Sequence, residues 1–529
     1  MGPTTRICSR LAGAAALALL PAPALADTSG LAAYLRARVA DSRGEVDRAA
    51  ADYARALAQA PDAGVAIRAY REALAAGDLA LADRALAVLS KAGVAPEDAA
   101  LLRVAQAAAT GDLAAIEAGA ARLAGGRLVI LVPVIRAWVV HARGADPFPA
   151  LDAASEPVAR RLANEARALL LIARGREREA MELIRLLGGA GAAMDLRITA
   201  AQLGGAELAS ALFPADQAAI AGALARAPVK PSPAFGVSRL FARVASDLAG
   251  GEGYNPLSVA FTRAALVAEP GNDRARLLLA HALGLDGATD RALAALRQVD
   301  PASPFASAAA SARITVLTEA DRRPEALADA RRLAERPEAS RADWQTYADL
   351  LVDSGRPADA VPYYRRIAEG DGAGEWVVWM QLGGALEEAG NWPDARAALA
   401  KAVRLGPDEP IALNYLGYAR LVRGEAERAS TRQLERAHKL APDNASIADS
   451  LGWAYHLTGD TKRALPLLER AAVEEPANAE IAEHLGDAYW TLGRRYEARY
   501  AWRAAAVVAE AEDKGRLAAK IERGPATVN

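Results

Sequence analysis

A period of 34 residues constrains this chain more than any other feature. From Trp376 to Glu409 large and small residues alternate in a fixed order: Trp379, Leu382, Gly383, Leu386, Gly390, Ala395, Leu399, Ala402 and Pro407, at positions 4, 7, 8, 11, 15, 20, 24, 27 and 32. The order returns in Ala445–Asn478 (Leu451, Gly452, Tyr455, Gly459, Ala464, Leu468, Ala471, Pro476) and in Ala479–Glu512 (Leu485, Gly486, Tyr489, Gly493, Ala498, Trp502, Ala505). Pro410–Asn444 carries Leu416, Gly417, Gly424, Ala429, Ala437 and Pro442 with one residue inserted in its second helix. Arg341–Gly374 (Trp344, Tyr347, Leu351, Gly355, Ala360, Tyr364) and Gly30–Ala63 (Gly44, Ala49, Tyr53, Ala56, Pro61) follow the order more loosely. One such unit cannot bury its apolar face alone, so neighbours must stack.

The residue types fit a helical hairpin. Small residues at positions 8 and 20 let two helices approach, and large ones at 4, 7, 11 and 24 fill the space between hairpins. Glycine at 15 ends the first helix in the left-handed conformation, and proline near 32 stops the second. Pro357 and Pro393 suit a first helical turn, where a missing N–H is harmless. The 52% hydrophobic content with 5% aromatics comes largely from Ala and Leu, which favour helix over strand.

These residues resemble the tetratricopeptide-repeat family, whose unit is a 34-residue helix-turn-helix. The resemblance implies an all-α fold, a right-handed superhelical solenoid, divided here into two arms. The last units, with Leu413-Asn414-Tyr415-Leu416-Gly417-Tyr418, Asp449-Ser450-Leu451-Gly452-Trp453 and His484-Leu485-Gly486-Asp487-Ala488-Tyr489-Trp490, look like large exported proteobacterial members over residues 340–523. In this family helix A lines a concave groove. Matching its positions selects Asn414, Tyr418, Asp449, Trp453, His456, Glu480, Glu483, Asp487 and Trp490, an aromatic strip flanked by carboxylates. A terminal-carboxylate clamp needs Lys and Arg where Asp449, Glu483 and Asp487 stand, so a basic or neutral extended peptide, or a glycan, suits the groove better. The alternative for Trp453 and Trp490 is packing against the adjacent helix.

Upstream the pattern thins. Asp273–Pro304 keeps Leu279, Leu283, Gly287, Ala292 and Leu296, Pro256–Pro270 reads as a helix paired with Val237–Ala249, and residues 64–226 show Ala/Leu helices separated at Gly77-Asp78, Gly111-Asp112, Gly144-Ala145 and Gly175. The segment 227–233, with three prolines, cannot be helical and is expected to divide an N-terminal arm (27–226) from a C-terminal arm (234–512), with a capping helix and tail over 513–529.

Residues 1–26 read as a secretory signal: Arg6 and Arg10, an apolar Leu11–Leu20 and Ala24-Leu25-Ala26 before a cut at Asp27. The family resemblance places the exported chain in the periplasm, and no transmembrane segment is expected, since Leu11–Leu20 is too short to span and Leu128–Val140 is broken by Pro133 and Arg136. Cys8, the single cysteine, precedes the apolar stretch, so a lipoprotein anchor is not expected, and no thiol survives the cut. A net charge of -2 gives no footprint for nucleic acid. His141, His281, His438, His456 and His484 form no metal motif, and no Walker A loop or nucleophile elbow is present, so no cofactor, metal or catalytic residue is expected. The reading is a non-enzymatic scaffold of the cell envelope that binds other proteins. A periplasmic holdase and a subunit of a polysaccharide synthesis or export complex are the alternatives.

Overall fold

The computed structural model describes residues 28–188, 192–214, 217–251, 253–425 and 427–525. The expected signal segment, with Cys8, lies outside the described residues. Among those described there are 29 α-helices, one 3-10 turn and no strand. The chain divides into two compact units, residues 1–321 and 322–529.

The first unit holds α1 (Thr28–Asp41), α2 (Val46–Gln59), α3 (Ala63–Ala76), α4 (Leu79–Lys91), α5 (Ala99–Thr110), α6 (Leu113–Leu123), α7 (Val132–Ala142), α8 (Phe148–Asp152), α9 (Pro157–Ala173), α10 (Glu177–Leu186), α11 (Ala192–Leu212, broken at Gly205), α12 (Ala218–Arg226), α13 (Pro233–Ala249), α14 (Pro256–Ala268), α15 (Asp273–Leu285), α16 (Thr289–Arg297) and α17 (Ala306–Glu319). The Gly-Asp pairs mark hairpin turns for a local reason. Gly77 takes φ 79° to end α3, and Asp78 then accepts from the Leu81 amide at 2.9 Å to start α4.

Residues 227–232 are non-helical, but Pro233, expected to be non-helical too, opens α13, because a first helical turn needs no N–H from it; Ser232 caps α13 by accepting from the Phe235 amide at 3.1 Å. They do not divide the compact units, contrary to the sequence expectation. Beyond them α13 packs on α5 and α7, and α14 on α3 and α5. Gly236 lies against the Trp138 indole, and Phe235 meets the same ring edge-on at 5.4 Å. Partly buried Arg263 of α14 donates from Nε to the Leu74 carbonyl and from Nη2 to that of Ala75, both at 2.6 Å. Both carbonyls lie at the end of α3; that of Leu74 also accepts from the Gly77 amide at 3.3 Å, whereas that of Ala75 is among the carbonyls a helix end leaves over. The two sides of the proline segment therefore share one core, and the division falls between Asp321 and Arg322.

The second unit holds α18 (Arg323–Ala334), α19 (Arg341–Asp353), α20 (Pro357–Glu369), α21 (Trp376–Glu388), α22 (Trp392–Leu405), α23 (Pro410–Leu421), α24 (Glu427–Leu440), α25 (Ala445–Leu457), α26 (Thr461–Glu474), α27 (Ala479–Thr491), α28 (Arg495–Val508) and α29 (Ala511–Arg523). Helices α19 to α28 form five successive hairpins in the phase read from sequence. The position-8 glycines are close approaches: a Cβ on Gly452 would lie 2.8 Å from Leu468 Cγ, and one on Gly486 2.4 Å from Trp502. A recurring bridge ties neighbours together. Tyr455 donates to Glu435 at 2.8 Å beneath the Arg463 guanidinium, and Tyr489 to Glu469 at 2.7 Å beneath that of Arg494. In the 35-residue unit Ser430, fully buried, takes the small-residue place opposite Gly417 that the sequence reading gave to Ala429. The extra residue thus falls before Ser430.

Candidate functional site

The expected groove residues lie on α23, α25 and α27, and most of them meet through a residue the pattern did not select. His484 is buried, with Nδ1 3.0 Å from Asp449 Oδ2, and its ring stacks on Trp453 at 4.0 Å and 13°. The other neighbour of Trp453 is His456, stacked at 5.0 Å and 19°. Tyr418 donates to Glu480 and stands 6.5 Å from the His484 ring. Burial, then the hydrogen bond to Glu480, pushes the Tyr418 phenol up. Burial pulls the His456 imidazole below its usual value. Tyr418, Asp449, Trp453 and His456 thus form one packed cluster. Asn414 stands outside it, its Oδ1 without a hydrogen-bond partner.

The aromatic strip is not an open platform. Trp453 is flanked by two imidazoles, and Trp490 is tilted against Trp502 at 5.4 Å, with Arg495 and Arg499 over its ring and Gly524 pressed on it. Neither indole offers the bare face that a stacked sugar ring needs. Both follow a packing role, Trp453 against His484 of the next first helix as the alternative expected, and Trp490 against α28 of its own hairpin and Gly524.

The carboxylates are taken up differently. Lys520 of α29 donates to Glu483 Oε1 and to Asp487 Oδ2, each at 2.6 Å, and Arg516 pairs with Glu483. Burial works to raise the Glu483 carboxyl, but the hydrogen bonds from Lys520 and Arg516 outweigh it and hold it below the usual range. Trp502 also donates to Asp487, at 3.0 Å. No spacing rule could have found Lys520, which lies 37 residues from Glu483 on a helix without the repeat pattern.

Between α25, α27 and α29 an open cavity of about 980 Å³ remains. Glu475, Glu480, Glu483, Asp487, Glu510 and Asp513 line it against two cations, Arg516 and Lys520. Its charge is acidic, so it complements cationic groups. Among the described residues no group of three or more His, Asp or Glu could hold a metal ion, and no helix is long and apolar enough to cross a membrane.

A family model described as tetratricopeptide repeat matches residues 346–410 and 380–445. Among solved structures, MamA from Desulfovibrio magneticus RS-1 is 20% identical, covering 32% of this chain and 94% of its own, with a TM-score of 0.28. A tetratricopeptide repeat protein from Parabacteroides merdae is 15% identical, covering 45% and 92%, with a TM-score of 0.38. YrrB, described as a repeat protein with an unusual peptide-binding site, is 19% identical over 36% and 97%, with a TM-score of 0.28. No curated protein sequence matches the chain significantly.

Proposed function

The chain belongs to the tetratricopeptide-repeat family, and from that premise we propose that it is a non-catalytic scaffold of the bacterial cell envelope whose last repeats hold a basic segment of a partner protein. The observation that carries this reading is the cavity beside α27, where six carboxylates face two cations. Stacked hairpins present such concave surfaces along their length, which suits them to holding extended partners. A cationic segment entering the groove would meet a focused negative potential, raising its association rate at low salt. The covered faces of Trp453 and Trp490 favour peptide over glycan. The envelope assignment rests on residues 1–26, with their charged start, apolar stretch and Ala24-Leu25-Ala26.

The test titrates the purified chain with fluorescent lysine-rich and glutamate-rich peptides of equal length. Lysine-rich peptide is expected to bind, with affinity falling as salt screens the groove. Glu480→Lys with Glu510→Lys should weaken binding at least tenfold while circular dichroism stays unchanged. Equal binding of both peptides, or no effect of the double substitution, would move the site elsewhere. Cell fractionation with N-terminal sequencing tests the envelope reading, which fails if the purified chain begins elsewhere than near Asp27.

A further inference from the structure

Resting on the reading of the last repeats as a partner groove, we propose that α29 is a displaceable stand-in for the partner, and that the partner segment is a basic amphipathic helix with a leucine flanked by cations one residue before and three residues after it. That spacing is the one by which α29 holds its place. Leu517 is buried at 1% exposure beside Ala482, Ala505 and Ala509, while Arg516 and Lys520 reach Glu483 and Asp487.

Two observations make α29 an occupant rather than a fixed part of the solenoid. Leu517 is its single buried residue, whereas α27 buries Ile481, Ala482, Glu483, His484, Gly486 and Ala488. The helix also leaves the neighbouring cavity of about 980 Å³ unfilled, so its docking relies on charge more than on packing. The Arg516–Glu483 pair is half exposed at its arginine and adds little net stability, while the Lys520 pairs are covered in the docked state and return their carboxylates to the open cavity when the helix leaves. Its far end is tied by Arg499 Nε donating to the Ile521 carbonyl at 2.8 Å and by Gly524 on Trp490. A helix held this way opens locally at low cost. A partner with the same three side chains and further cations would reach Glu475, Glu480 and Glu510, which lie in the cavity where neither Arg516 nor Lys520 makes a hydrogen bond to them.

The test uses the full chain and a labelled synthetic peptide of residues 510–525. The chain carrying Arg516→Gln and Lys520→Gln, whose own helix is weakened, should bind the peptide at least tenfold tighter than the unaltered chain, with the gap closing in high salt. In the unaltered chain, saturating peptide should accelerate amide exchange across 511–523 and leave α27 protected. Equal affinity for both chains with unchanged exchange in α29 overturns displacement, although the groove reading survives because the peptide still binds. Absence of binding to either chain overturns the groove reading as well. Should the double variant lose helicity, exchange in the unaltered chain decides alone, and unaccelerated amides at 511–523 sink the proposal.

Discussion

The two units use the same hairpin but hold it together in different ways. In the second unit one contact recurs in four successive hairpins, Gly383 on Leu399, Gly417 on Leu434, Gly452 on Leu468 and Gly486 on Trp502, and the Tyr–Glu–Arg bridge accompanies the last two. The first unit relies on contacts that occur once and join distant residues. Arg263 reaches carbonyls 188 and 189 residues away, and Arg243 meets Glu165 at 3.0 Å across 78. Repeated nearest-neighbour contacts make stability a sum over units, so damage should stay local. A closed core couples its parts, so damage there should spread.

Gly236→Leu should strain this contrast most. A Cβ there would lie 2.2 Å from Cγ of Trp138, at the root of a rigid indole within the large core. Overpacking against such a neighbour is expected to cost about 3 kcal/mol or more and to unfold the first unit as a whole. Denaturant titration with exchange mapping reads both effects. Survival of α3 and α5 while α13 opens would show that the first unit, too, behaves as a string of hairpins.

Gly452→Leu is the counterpart in the second unit. The side chain in its way, Leu468, is flexible beyond Cγ, so the expected loss is about 2 kcal/mol. Lost amide protection should be confined to α25, α26 and their immediate neighbours. Uniform loss from α19 to α28 would mean that the repeats are as tightly coupled as the closed core.

Arg263→Met removes the bridge from α14 to α3 while keeping most of the side-chain volume. Burial has pushed the guanidinium down to about 10, and of the two carbonyls it serves, that of Leu74 keeps its bond from the Gly77 amide while that of Ala75 loses the Arg263 donor. The expected loss is about 2 kcal/mol, read from the melting midpoint of the first unit. A change within about 0.5 kcal/mol would show that packing of α14 on α3 and α5 closes the unit without this residue.

What could be read in the sequence follows the same division. Position-8 and position-15 glycines announce themselves because identical surroundings recur every 34 residues, as at Gly383, Gly452 and Gly486. In the first unit the pattern was legible in Gly30–Ala63 and, more thinly, in Asp273–Pro304, while over residues 64–226 the hairpins showed mainly at their turns, where Gly77 and Asp78 carry a local signal. Nothing about Arg263 or Gly236 marks them out in sequence, since their partners are set by closure of the fold. The groove shows the same limit. Family positions led to Asp449, Glu483 and Asp487, but the residues that satisfy them, His484 and Lys520, come from the next helix and from outside the repeat pattern.

The mildest test concerns a carboxyl at the closing seam of the first unit. Glu72 of α3 lines an open cavity of about 850 Å³ with Asp41, at the end of α1, and Asp286, which follows α15, and its Oε2 has no hydrogen-bond partner. Burial first, and then the charges of Asp41 and Asp286, push it up to about 8. Because the folded value lies above the unfolded one, stability is complete below about pH 4.5, falls as pH rises through 8, and is level beyond. Glu72→Gln keeps the shape without the charge. Its advantage over the unaltered chain should be absent at pH 4 and present at pH 9. A rigid site would make that advantage several kcal/mol. A carboxylate that can turn toward water in the cavity recovers most of this, leaving about 1 kcal/mol. Melting curves of the first unit at pH 4, 7 and 9 measure it. An advantage equal at all three values would place the cause in packing, and the seam would then close without regard to charge.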